Sequence, residues 1–256
     1  MEACLIWDCF MFINEYELAE IRFRHLEKHV DRFIVVEGSL THSGRIRGFA
    51  FDKAQFPWIA SRITVVQALL PDSPDRWVIE NCQRNAILQG LAEAYPDDIA
   101  LVSDCDEIPS HHALEAIREG ALPMAFQMKT CGWYVNLVDP AASWIGTVAV
   151  PVEQLRAHSP QHYRRNRFGF PRIHRGGFHF TFMGGLEKVA YKIGAFAHAE
   201  YDTPENKDLA ILAARRDRAV DPMGLGGFHG QDLDLGDPDF PPYLRENRSL
   251  FPDLFK

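Results

Sequence analysis

Apolar and polar positions divide this chain into two unlike halves. In the first half, short β-branched and aliphatic runs alternate with stretches of helical period. Residues 3–7 are expected as a buried first strand, 32–37 (RFIVVE) as a second, 62–67 (RITVVQ) as a third and 99–103 as a fourth. Between them, 16–29 reads as a helix, with Ala19, Phe23, Leu26 and Val30 recurring on one face, and 77–94 as another, ended near Pro96. A short helix follows over 110–119, which Ser110 can cap and Gly120 can stop. This alternation predicts an α/β fold with a mainly parallel sheet covered by helices.

The second half loses the alternation. Strands are expected at 125–128, 144–150 and 178–182 with no regular helices between them, which predicts a mixed sheet. Helices are expected over 186–196 and 203–220. The latter has Thr203 as cap, Pro204 at the first helical position and Glu205 at the positive end of the dipole. From Asp221 on, Gly, Pro and Asp prevail. Phe240, Tyr243, Leu250, Phe251, Leu254 and Phe255 are expected to pack this tail on the body or on a second subunit. Repeats, low-complexity linkers and domain boundaries are not evident. One domain over 1–256 is expected, made of a parallel half (1–122), a mixed half (123–220) and the tail (221–256).

The fourth strand runs into Ser103-Asp104-Cys105-Asp106-Glu107-Ile108-Pro109. Three carboxylates within four residues repel one another unless a cation stands between them. At the carboxyl end of a parallel strand they face the crevice where open α/β sheets bind ligands. The simplest purpose is to hold a divalent metal that in turn holds phosphate oxygens. Asp106 is the first choice of ligand, with Asp104 assisting or binding a ribose, and Glu107 pairing with a nearby Arg. The triplet alone is a weak signal. It recurs at Asp232-Leu233-Asp234 and Asp237-Pro238-Asp239, where Asp serves turn chemistry.

Other candidates share that edge. Asn14 and Glu15 after strand one, and Glu37 after strand two, either hold a base or ribose or make an ordinary cap and turn. Arg84 either forms a surface pair with Glu80 or faces the nucleotide. Arg164, Arg165, Arg167, Arg172, His174 and Arg175 read for the most part as a solvated loop, with neutralisation of a diphosphate as the alternative. Glycine-rich phosphate loops are missing, which disfavours P-loop and dinucleotide readings. Further on, Phe178 and His179 run into a Gly184-Gly185 turn, an arrangement that suits a sugar ring. Glu187 is then either a dipole partner or a general base, with Asp232 as the fallback. His198 is a candidate third metal ligand from a distant part of the chain.

A net charge of −8 argues against a nucleic-acid-binding face. Five scattered cysteines with no C-x-x-C pair argue against a disulfide framework or zinc site and for a reducing compartment. The N-terminus is expected to be neither signal peptide nor anchor, and the remaining segments are too short or too polar to span a bilayer. A cytoplasmic location is expected, with peripheral membrane contact and homo-oligomerisation left open.

Phe12-Ile13-Asn14-Glu15, Val35-Val36-Glu37, Gln83-Arg84-Asn85, the Ser103–Pro109 string, Gly177-Phe178-His179-Phe180, and Lys192-Ile193 with His198 fall in an order that resembles glycosyltransferase family 17, the β-1,4-mannosyl-glycoprotein 4-β-N-acetylglucosaminyltransferase family. The resemblance runs from residue 5 to about 201. It implies a GT-A-like fold with a nucleotide-sugar-binding half and an acceptor half. It also implies a UDP-sugar donor, Mn²⁺ or Mg²⁺, and inversion at the anomeric carbon, with Asp104 and Asp106 matching the metal–nucleotide motif. The compact chain, and Phe178 where the family often has Trp, imply a bacterial-type member that glycosylates a surface glycan, a glycolipid or a small acceptor. Two other classes remain in view: a sugar-phosphate nucleotidylyltransferase, and a non-catalytic glycan- or nucleotide-binding protein.

Overall fold

β1 (Ile6–Phe12) is the axis of the first half. It pairs in parallel with β2 (Arg32–Gly38) on one side and β4 (Ile99–Asp104) on the other, while β3 (Ile63–Ala68) lies outside β2. The computed structural model describes residues 4–256. Helix α1 (Tyr16–Leu26) connects β1 to β2. Helix α2 (Arg76–Asn85), capped by Asp75, and the single turn α3 (Ile87–Gly90) connect β3 to β4. The chain therefore winds outward from β1 to β3 and returns across β1 to β4. Strand order reverses between β1 and β4, and such a reversal leaves a crevice at the carboxyl ends of the two strands.

The same sheet continues into the second half. The short strand β5 (Glu107–Pro109) follows the acidic loop and leads to α4 (His111–Glu119), which Ser110 caps by accepting from the Ala113 amide at 3.0 Å. Strands β6 (Met124–Gly132) and β7 (Leu137–Pro151) form an antiparallel pair, and β7 lies antiparallel to β4. After α5 (Val152–Ala157) and α6 (Pro160–Asn166), the two-residue strand β8 (Arg172–Ile173) and then β9 (Gly177–Thr181) lie parallel to β6. β5 closes the far edge against β9. Helices α7 (Leu186–Ala195) and α8 (Leu209–Asp217), strand β10 (Gln231–Asp232) on β7, and α9 (Pro242–Glu246) complete the chain. The described residues form an α/β fold on a mixed ten-stranded sheet.

Alternate residues of each strand face opposite sides. Phe10, Phe12, Phe33 and Val35 meet α1, α4 and α9 on one side; Cys9, Ile34, Val36 and Val102 meet α3, α5 and α6 on the other. Phe240, Leu244, Phe251 and Leu254 complete the first layer, so the tail packs on the body of its own chain.

Several elements differ from the pattern-based expectation. The first strand runs to Phe12 and includes Asp8; Ala3 lies outside the described residues. Asp8 tolerates this position because Arg22 of α1 donates to both its oxygens at 2.6 Å. The helix expected from 77 to 94 divides at Ala86. The helix expected from 203 begins at Leu209, capped by Asp208, while Thr203 accepts from the Asn206 amide in a separate 3₁₀ turn. Arg164 and Arg165 stand on α6 rather than in a loop.

Candidate active site

A buried guanidinium shapes the acidic loop. Arg22, neutralised by Asp8, also donates to the carbonyls of Asp104 (3.1 Å), Cys105 (3.3 Å) and Glu107 (2.6 Å), and to Ser103 Oγ (2.6 Å). Glu107 then folds inward. It is fully buried, accepts from the Asp104 amide at 3.1 Å and from Trp144 Nε1 at 2.6 Å, and is bracketed by Arg164. The three acids thus separate: Glu107 fixes the loop, and Asp104 and Asp106 face a cleft of about 860 Å³.

Both aspartates have cationic partners. Asp104 Oδ1 accepts from Arg84 at 2.9 Å and Oδ2 from Arg164 at 2.7 Å. Asp106 Oδ2 accepts from Lys192 Nζ at 2.6 Å, with His179 Nε2 at 3.6 Å. Burial favours the protonated carboxyl at each. Arg164 and Arg84 beside Asp104, and Lys192 and His179 beside Asp106, outweigh it and hold both carboxyls well below the usual range. Both are ionised at neutral pH. Trp144 supports the cluster, stacked on His179 at 4.5 Å with the guanidinium carbons of Arg164 and Arg167 5.9 and 5.6 Å from its ring centre. Burial, then the neighbouring Arg164, pull Arg167 down to about 10, which leaves it charged at neutral pH. It donates to the Ile145 and Arg164 carbonyls at 2.7 Å each and has no carboxylate partner among the described residues.

Most of the sequence-predicted residues share this cleft. Asn14 and Glu15 line it from the end of β1, and the Glu15 carboxylate accepts from the Ile13 and Asn14 amides at 2.9 and 3.0 Å. Arg84 also pairs with Glu80 (2.9 Å) and donates to Gln161 (2.6 Å); it is buried, not a surface residue. Gly184 (φ +84°) and Gly185 (φ +93°) take left-handed turns that start α7 and present Glu187, an exposed residue of its first turn, to the cleft. His179 lines the cleft as well.

Five of the sequence-predicted residues are placed otherwise than expected. Glu37 is buried and accepts from the Ala50 and Phe51 amides while pairing with Arg47, so it fastens the 47–51 segment and does not line the cleft. Phe178 packs in the core against Phe180 and Phe240, because the pleat turns it away from the side His179 faces. Gly185 shapes the turn without lining the cleft. Asp232 is exposed on β10, 3.0 Å from Lys256, and does not line the cleft. His198 lines the cleft, pairs with Glu200 at 2.8 Å and meets Trp77 edge-on.

From sequence, Arg22, Trp144 and Lys192 carry no assigned role, and Arg164 and Arg167 too small a one. Glu187, Lys188, Tyr191 and Lys192 recur at helical spacing and all line the cleft, a signal the sequence did carry.

The donor set does not suit Mn²⁺ or Mg²⁺ as arranged. Such an ion wants carboxylate oxygens directed at itself and repels neighbouring cations. Three of the four carboxylate oxygens of Asp104 and Asp106 take hydrogen bonds from Arg84, Arg164 and Lys192. Among the described residues no three His, Cys, Asp or Glu side chains converge as a metal-binding group.

A crevice at a strand-order reversal, charged on its floor and bordered by aromatics, defines a site for a polar ligand in an α/β protein. The model of glycosyltransferase family 17 matches residues 2–210, and the chain belongs to that family. The β-1,4-mannosyl-glycoprotein 4-β-N-acetylglucosaminyltransferase of Homo sapiens is 28% identical over 132 residues, covering 45% of this chain and 24% of the human protein. The protein of the same name from Mus musculus is 27% identical over 288 residues, covering 93% of this chain and 52% of the mouse protein. The chain therefore spans about half the length of these curated relatives, or less. No helix among the described residues is long and apolar enough to cross a membrane.

Proposed function

We propose that this chain transfers a sugar from a UDP-sugar to a hydroxyl of a glycan or glycolipid, with inversion at the anomeric carbon, on a GT-A-like fold. One observation carries the reading. In a glycosyltransferase family 17 chain, the ends of β1 and β4 bring Asn14, Glu15, Asp104 and Asp106 to one cleft that also holds Glu187. The phosphate end of the donor lies by Asp104, Asp106 and their cations, and Asn14 and Glu15 border the nucleoside. Glu187 and Lys192 both stand on α7 and both line the cleft, so the base and the phosphate end are carried by one helix.

The chemistry uses these groups in turn. Glu187 takes the proton of the acceptor hydroxyl as its oxygen bonds to the anomeric carbon. The bond from that carbon to the diphosphate oxygen breaks, and UDP leaves with the bonding pair. Arg164, Arg167 and Lys192 stabilise the charge that develops on the leaving oxygens. UDP-GlcNAc is the first donor to test, given the names of the relatives. The assay is UDP release from a panel of UDP-sugars with oligosaccharide and glycolipid acceptors. Acceptor-stimulated release supports the proposal. Pyrophosphate from UTP and a sugar phosphate, with no UDP release, would move the assignment to nucleotidyl transfer.

A further inference from the structure

We infer that the cleft grips the donor diphosphate with its own fixed cations, Lys192, Arg167 and Arg164, and needs no divalent metal to do so. The inference rests on the nucleotide-sugar reading above and goes further by naming what binds the phosphates.

The carboxylates are placed as anchors for cations. Asp104 bridges Arg84 and Arg164, and Arg164 continues to buried Glu107. Asp106 takes Lys192 from the facing helix α7. A metal at either aspartate would have to displace one of these cations or lie against it. The cations in turn keep unused capacity. An ammonium has three donors, and Lys192 uses one of them on Asp106. Arg167 has given Nε and Nη1 to backbone carbonyls, and its Nη2 has no protein partner among the described residues. Arg164 and Arg167 are three residues apart, on α6 and the turn after it, so they come from one side of the cleft, while Lys192 comes from α7.

Guanidinium and ammonium groups make short charge-assisted bonds to phosphate oxygens, and guanidinium keeps its charge in a buried site. Raised proton affinity of Arg164 and Lys192, in which their acidic partners outweigh the effect of burial, secures that charge here. The acidic loop then acts on the donor through the cations it orients.

Isothermal titration of the full chain with UDP tests this directly, in EDTA and in excess MnCl₂ or MgCl₂, with uridine as the phosphate-free probe. The expected result is UDP binding in EDTA about as tight as with either metal. Arg167→Ala is expected to weaken UDP about tenfold or more while leaving uridine unchanged. Arg167 has no acidic partner to strand among the described residues, so this variant is expected to keep the fold, which a thermal melt checks. Lys192→Ala is expected to act in the same direction, with Lys192→Arg restoring much of the loss. UDP binding that appears only with a metal overturns the inference and leaves the transferase reading standing. UDP binding in EDTA that Arg167→Ala and Lys192→Ala do not alter also overturns it. Failure of UDP to bind under every condition overturns the inference and the nucleotide-sugar reading together.

Discussion

Asp8 and Arg22 are both fully buried, and the loop that carries Asp104 and Asp106 hangs from the remaining donors of Arg22. Removing one partner of such a pair leaves an uncompensated charge in the interior. Arg22→Ala is expected to cost about 3–5 kcal/mol in urea unfolding. Any folded fraction should bind UDP poorly, because the loop carbonyls lose their common donor. Glu187 is different: it is exposed and holds nothing together. Glu187→Gln should leave stability and UDP affinity intact and lower the rate of transfer by about 10²-fold or more. His25 adds a pH dependence. Burial, and then the stacked His111 at 4.1 Å, lower its pKa from 6.5 to about 3. The unfolded chain therefore takes up a proton near pH 6.5 that the folded chain refuses, and stability falls as pH drops from 6.5 toward 3. Between pH 6.5 and about 5 the aspartates of the cleft remain ionised in both states and add little. His25→Phe should flatten that part of the stability curve, as read by denaturant titration at pH 7 and about pH 5.

At the scale of elements, β5 and β9 decide where the acidic loop ends. Gly177 sits at φ +122° where the two strands meet, and a Cβ there would stand 2.1 Å from the Ile108 carbonyl oxygen. Gly177→Ala combines backbone strain with a clash. A loss of at least about 2 kcal/mol is expected in thermal or urea unfolding. The elements that were legible in sequence are those with local causes. RFIVVE and RITVVQ form strands through β-branched runs, and Ser110 starts a helix through its own side chain. Elements with distant causes were not legible. β1 absorbs Asp8 only because α1 brings Arg22 to it, and β5 exists only because β9, about 70 residues later, pairs with it. The same division holds in the cleft. Asn14, Glu15, Asp104, Asp106 and Glu187 announce themselves by position at strand and helix ends. The meaning of Arg164 depends on Asp104 and Glu107, some 60 residues away in sequence, and could not be read from its basic neighbours.

Over the whole molecule, the parallel half supplies the strand reversal, the acids and Arg84, and the mixed half supplies Arg164, Arg167, Lys192 and Glu187. β7 joins the two by pairing with β4. α6 and α7 reach back over the crevice from either side of β9. Neither half contains the site alone, which is why the cleft is assembled from residues as far apart as Asn14 and Lys192. The central claim is that this assembly moves a sugar from a UDP-sugar. The most direct measurement is the rate of UDP release from UDP-GlcNAc and related donors, with an acceptor panel, for the parent chain and for Glu187→Gln. The account predicts acceptor-stimulated UDP release by the parent and a collapse of that rate in Glu187→Gln with UDP affinity retained. A folded parent chain that releases UDP from no donor, with or without added metal, would contradict it.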